Sequence, residues 1–160
     1  MGQKVNPIAF RTGVMEGWKS RWYAPKAEFA TLLVEDKKIR DFVQKHPTQN
    51  YKAAGIDRVE IERTRDEVKV TLFVARPGLI IGKKGQEVER LQNEMQNLIG
   101  RRINLKVEEI GRPDLQAQLV AEKISEQLQR RASFRRTMKR AAEESMDAGA
   151  KGIKVQLAGR

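Results

Sequence analysis

Two glycines separated by two lysines, Gly82-Lys83-Lys84-Gly85, constrain this chain more than any other feature. They stand between an apolar run, Leu79-Ile80-Ile81, and a helical period that opens at Val88. Glycine removes side-chain bulk where one backbone must press against another. Exposed N–H groups there, with the start of a helix behind them, suit phosphate oxygens, and the lysines add two mobile positive charges. A bare Gly-x-x-Gly is most often an ordinary surface turn. A nucleotide-binding loop needs Gly-x-x-x-x-Gly-Lys-Ser/Thr. Counted from Gly78, Gly82 arrives one residue early, and Lys84 stands where the magnesium-binding hydroxyl is required. The nucleotide reading fails.

The surroundings decide between the others. Phe29, Leu32, Leu33, Ile39, Phe42 and Val43 recur at helical spacing between Glu28 and His46. His46-Pro47 is expected to end that helix, because a residue before proline avoids helical backbone. A polar loop is expected up to Gly55. Val59 and Ile61 then alternate with Glu60 and Glu62; after a turn near Arg65-Asp66, Val68, Val70, Leu72 and Val74 repeat the pattern. Period two across a short connection predicts an antiparallel hairpin. Pro77-Gly78 stops the second strand. Beyond the glycine loop, Val88, Leu91, Met95, Leu98 and Ile99 share a helix face that closes at Gly100, and Ile103, Leu105 and Val107 read as a third strand. Helix, strand, strand, helix, loop, helix, strand over Glu28–Ile110 is the type II arrangement of the KH fold. With the motif in that order the segment resembles a KH domain, whose loop clamps a short stretch of RNA backbone.

The predicted fold is therefore α+β in three parts. Residues 1–25 show no sustained period and read as an arm that lies on something else. Residues 26–110 form the type II KH domain, with two helices around the Gly82–Gly85 loop. Residues 111–160 read as helix, helix and strand, the incomplete first part of a second α/β domain. In that part Pro113 and Asp114 suit a helix start, Leu115, Leu119, Val120, Ile124 and Leu128 mark its apolar face, and Ser133 and Gly149 bracket a second helix. The expected strand is Ile153–Leu157; with one apolar face it needs a sheet partner.

Charge narrows the partner. There are 32 Lys and Arg against 21 Asp and Glu, a formal net charge of +11, and a field of that sign gathers polyanions. From Arg130 to Arg140 stand Arg130, Arg131, Arg135, Arg136, Lys139 and Arg140 with no acid among them. Like charges three and four apart repel on a helix, and a polyanion would relieve that repulsion. In the arm, Lys4, Arg11, Lys19 and Arg21 are candidate RNA contacts. Trp18, Trp22 and Tyr23 interleave with the last two; their area favours stapling the arm to its own domain over stacking on bases.

Catalysis finds little support. No cysteine is present, which excludes disulfides, zinc ribbons and thiol chemistry, and His46 is the only histidine. No catalytic triad, metal set or cofactor motif is visible, so the expectation is no enzyme, no metal and no cofactor. No apolar run approaches the roughly 20 residues of a membrane span. The start Met1–Pro7 lacks the apolar stretch of a signal peptide, and the expected location is cytoplasmic.

Beyond the KH segment the resemblance widens. Met1-Gly2-Gln3-Lys4-Val5-Asn6-Pro7, Ala75-Arg76-Pro77-Gly78 with Ile80–Gly85, Phe134-Arg135-Arg136-Thr137-Met138-Lys139-Arg140-Ala141 and Gly149-Ala150-Lys151-Gly152-Ile153-Lys154-Val155 are similar to bacterial small-subunit ribosomal protein three. That resemblance implies a structural protein of the small-subunit head that binds ribosomal RNA through the KH domain. It implies a second domain beside the channel where messenger RNA enters, neighbouring small-subunit proteins as partners, and a chain that continues past Arg160. The competing readings are a free-standing KH-type regulatory or assembly factor and a KH-bearing GTPase, the latter opposed by the missing nucleotide loop.

Overall fold

The computed structural model describes residues 2–45, 49–65 and 67–159, without the side chains of Gln49, Asn50, Lys52 and Lys84. A four-stranded sheet carries the fold: β1 (Ser20–Arg21), β2 (Ile56–Arg63), β3 (Glu67–Val74) and β4 (Arg102–Glu109), in that spatial order. β2 and β3 form the expected antiparallel hairpin, with Ile61 opposite Val70. β4 returns parallel to β3, with Leu105 beside Val70. Alternation puts Val59, Ile61, Val68, Val70, Leu72, Val74 and Ile103 in the core.

Helices α2 (Lys26–Lys45) and α5 (Gln86–Ile99) contribute Ile39, Val43, Leu91 and Met95 to that core. Each such side chain, fully buried, stabilises the fold by roughly 1.5–3 kcal/mol. α5 stops at Gly100, whose left-handed backbone (φ 72°) lets its N–H reach Gln96 O at 2.7 Å. The expected end of α2 at His46-Pro47 lies outside the described residues, as does Asp66 of the hairpin turn.

Two expectations need correction, and the arm gains detail. The segment read as a polar loop up to Gly55 contains helix α3 (Gln49–Ala54). Tyr51 and Ala54, three apart and so on one face, are buried in the core, and burial pushes the Tyr51 hydroxyl pKa upward. The arm, read as lying on something else, carries two short elements. Helix α1 (Pro7–Arg11) is capped by Asn6, whose Oδ1 accepts from the N–H of Ile8 and Ala9, and β1 pairs in parallel with β2. Finally, Ile153–Leu157 is not a strand: residues 152–159 have no regular structure. The alternation is present, but no described strand offers it a ladder of hydrogen bonds, and a strand does not stand alone.

The C-terminal part is a helical pair. A 3-10 turn, Pro113–Leu115, precedes α6 (Ala117–Gln129), and α7 (Phe134–Asp147) folds back on it. Ser133 holds the N-cap position of α7 without a side-chain capping bond. Ile124 is the buried residue of α6, and Thr137, Ala141 and Ser145 form the small buried face of α7. Lys123 ties the pair to the turn, reaching Glu144 at 2.7 Å and Asp114 at 3.7 Å. Its hydrogen bond, and then that of Arg140, hold the Glu144 carboxyl below the usual carboxylate range.

Candidate nucleic-acid interface

The glycine loop is built from both sides. Pro77 at the first helical position starts α4 (Pro77–Ile81), which buries Ile80 and leaves Leu79 and Ile81 exposed. The chain then turns through Gly82 and a 3-10 segment, Lys83–Gly85, into α5. Gly82 (φ 67°, ψ −168°) lies where only glycine is at ease. Gly85 is left-handed (φ 79°, ψ 5°) and caps α5 with no side chain of its own. Lys83 is exposed, while the Lys84 side chain lies outside the described residues. The two glycines thus turn the chain into α5 beside an exposed cation.

The six cations from Arg130 to Arg140 divide. Arg130 pairs with Glu126 (2.5 Å), Lys139 with Glu143 (3.7 Å) and Arg140 with Glu144 (2.9 Å), each one helical turn away. Arg131, Arg135 and Arg136 are exposed and have no acidic partner among the described residues. Arg135 lies over the Phe134 ring, 5.7 Å from its centroid. Arg131 is left-handed (φ 60°), the one non-glycine residue so placed among those described. It occupies the turn between α6 and α7, where glycine is the usual choice. Arg131→Gly should therefore raise stability by about 1 kcal/mol, read as a higher urea midpoint. If Arg131 meets RNA, the same change should weaken RNA binding.

Arm cations fare differently again. Lys4 is exposed, and Arg11 donates to the Pro7 carbonyl at 3.0 Å. Arg21 is engaged by Glu60 (3.3 Å) and Glu62 (3.5 Å) on the open face of the sheet. The Lys19 carbonyl accepts from Ile61 N–H and from Arg40. Burial lowers the Arg40 pKa. Of the aromatics, Trp22 staples the arm, with its ring 5.3 Å from Phe29. Trp18 and Tyr23 stay exposed.

Sequence reasoning missed the group that holds this arm. Asp36, 3% exposed, accepts from Ser20 Oγ (2.9 Å) and Trp22 Nε1 (2.8 Å) on one oxygen. Its other oxygen accepts from Arg63 Nε (2.8 Å) and a second Arg63 nitrogen (2.6 Å). Arg63 also reaches Glu35 at 2.7 Å. The one signal was Asp36 itself, an acid on the helical face that also carries Leu32, Ile39 and Val43.

Comparison with known proteins agrees with this architecture. Residues 38–115 match the family model described as KH domain, and residues 124–160 match that of the ribosomal protein S3 C-terminal domain. Small ribosomal subunit protein uS3 of Rhodopirellula baltica is 76% identical over the whole chain, which covers 68% of that relative. The chain belongs to the uS3 family. The uS3 proteins of Pediococcus pentosaceus (49% identical, 70% covered) and Geobacter sulfurreducens (48%, 74%) also align with the whole chain. As a uS3 chain it is a structural, RNA-binding protein of the small ribosomal subunit and not an enzyme. The readings as a GTPase or a free-standing regulatory factor fall away. No helix among the described residues is long and apolar enough to cross a membrane.

Proposed function

We propose that this uS3 chain holds ribosomal RNA through the Gly82–Gly85 loop and meets messenger RNA, where the message enters the subunit, with the free arginines before and within α7. The loop reading is carried by one observation: two positive-φ glycines turn the chain into the start of α5 beside an exposed lysine. Such a clamp reads phosphate and backbone shape with weak base preference. Arg131, Arg135 and Arg136 form a separate contact, because their charges are not neutralised within the helical pair. Lys4 and Arg11 extend the ribosomal RNA contact, and neighbouring small-subunit proteins of the head complete the surroundings. The working location is the ribosome in the cytoplasm.

Replacing Lys83 and Lys84 by Asp tests the loop. Affinity for single-stranded RNA should fall at least tenfold, and the log–log salt dependence should become shallower by about 1.4, the share of two phosphates. Circular dichroism should be unchanged, since Lys83 is exposed. Unaltered affinity in an anisotropy titration would remove the loop from the interface. Residue-mapped crosslinking in intact small subunits separates the two contacts: ribosomal RNA should crosslink at the loop and messenger RNA at Arg131, Arg135 and Arg136.

A further inference from the structure

An acid stands directly behind the loop. Glu87, in the first turn of α5, folds its side chain over Gly82, so that a methyl group there would lie 2.6 Å from Glu87 Cγ and 2.9 Å from its Cβ. Among the described residues its carboxylate has no hydrogen-bond or ion-pair partner. Arg90, whose pKa it helps to raise, is bonded to Glu94 at 2.9 Å.

For a loop whose task is to attract phosphate this is an unfavourable charge. It neutralises part of the positive end of α5, where a phosphate would otherwise settle. Packing does not require it either, because glutamine would cover Gly82 with the same Cβ and Cγ. The loop consequently carries both signs of charge, a carboxylate whose stem covers Gly82 and an exposed ammonium group at Lys83.

We propose that Glu87 is a specificity-determining residue of the loop, which keeps phosphate off the α5 side of Gly82 and confines the RNA backbone to the Lys83 side. This rests on the loop reading above. Removing one negative charge several ångströms from a bound phosphate should tighten binding about three- to tenfold at low salt. Rising salt should erase that gain, because exposed charges are screened.

The test compares wild type, Glu87→Gln, Glu87→Lys and the double Lys83→Asp, Lys84→Asp variant, as full chains, with a short fluorescein-labelled uridine oligonucleotide. Glu87→Gln is expected to bind more tightly and Glu87→Lys more tightly still, both gains fading as salt increases. In NMR titrations the amides of Gln86 and Val88 should stay quiet in wild type and shift in Glu87→Gln. Unchanged or weaker binding by Glu87→Gln, or a gain that salt does not reduce, overturns the proposal. If the double Asp variant binds less while Glu87→Gln is neutral, only the role of Glu87 falls. If the double Asp variant binds normally, the loop reading falls and this inference with it.

Discussion

Asp36→Ala should lower stability by about 3–5 kcal/mol, more than any change at an exposed cation. The reason is what remains after the carboxylate is gone. Arg63 keeps a guanidinium whose side chain is only 5% exposed, now with Glu35 as its single acidic partner. Trp22 Nε1 loses its acceptor, and Ser20 loses one of its two partners. Each unsatisfied buried donor carries a penalty of roughly 1–3 kcal/mol, so the losses compound. The arm should loosen at the same time, since Trp22 Nε1 loses its bond to α2 and Ser20 keeps only the one from Arg40. The expected readout is a melting temperature lower by roughly 10 °C, with a red shift of tryptophan fluorescence as Trp22 meets water. Asp36→Asn should lie between, since it retains an acceptor oxygen but loses the charge facing Arg63. A change in melting temperature of a degree or two for Asp36→Ala would mean that the arm is held mainly by Arg40 and by Trp22 against Phe29.

What could be read in the sequence follows from the range of the forces involved. The hairpin of Val59, Ile61, Val68, Val70, Leu72 and Val74 was legible because period two is a local pattern that burial on one face enforces. The face of α5 and its stop at Gly100 were legible for the same reason, at period 3.6. β1 was not: two residues have no period, and Ser20–Arg21 becomes a strand only because β2 lies beside it. Nor could the Asp36–Arg63 pair be read, because partners 27 positions apart are chosen through space. The same limit explains Arg21, a candidate RNA contact by composition whose charge Glu60 and Glu62 occupy across the sheet. Ile153–Leu157 is the converse case, where alternation promised a strand and no described partner completes it. In the candidate loop, the motif and its place in the chain were evident from residue types alone. The reason each glycine is needed was not, because it depends on which atoms lie opposite.

Those opposing atoms predict that the two loop glycines respond differently to the same substitution. At Gly82 an alanine meets two obstacles. The backbone (φ 67°, ψ −168°) is one that a side chain disfavours by roughly 1–3 kcal/mol, and the added methyl would overlap Glu87 Cβ and Cγ. Relieving that overlap means moving the first turn of α5, an overpacking penalty of about 1–3 kcal/mol. At Gly85 only the left-handed backbone opposes alanine, about 1–2 kcal/mol, because nothing lies within 4 Å of the new methyl. Gly82→Ala should therefore lower the urea midpoint more than Gly85→Ala and displace the amide resonances of Glu87 and Val88. Its RNA affinity should fall even with both lysines in place, because the turn that presents Lys83 has been rebuilt. The double variant Gly82→Ala, Glu87→Ala separates the two obstacles. Truncating Glu87 removes the Cγ overlap but not the Cβ contact or the backbone strain, so it should recover part of the lost stability and not all of it. Full recovery would assign the whole effect to Glu87 Cγ, and no recovery would assign it to the backbone of Gly82 together with the remaining Cβ contact.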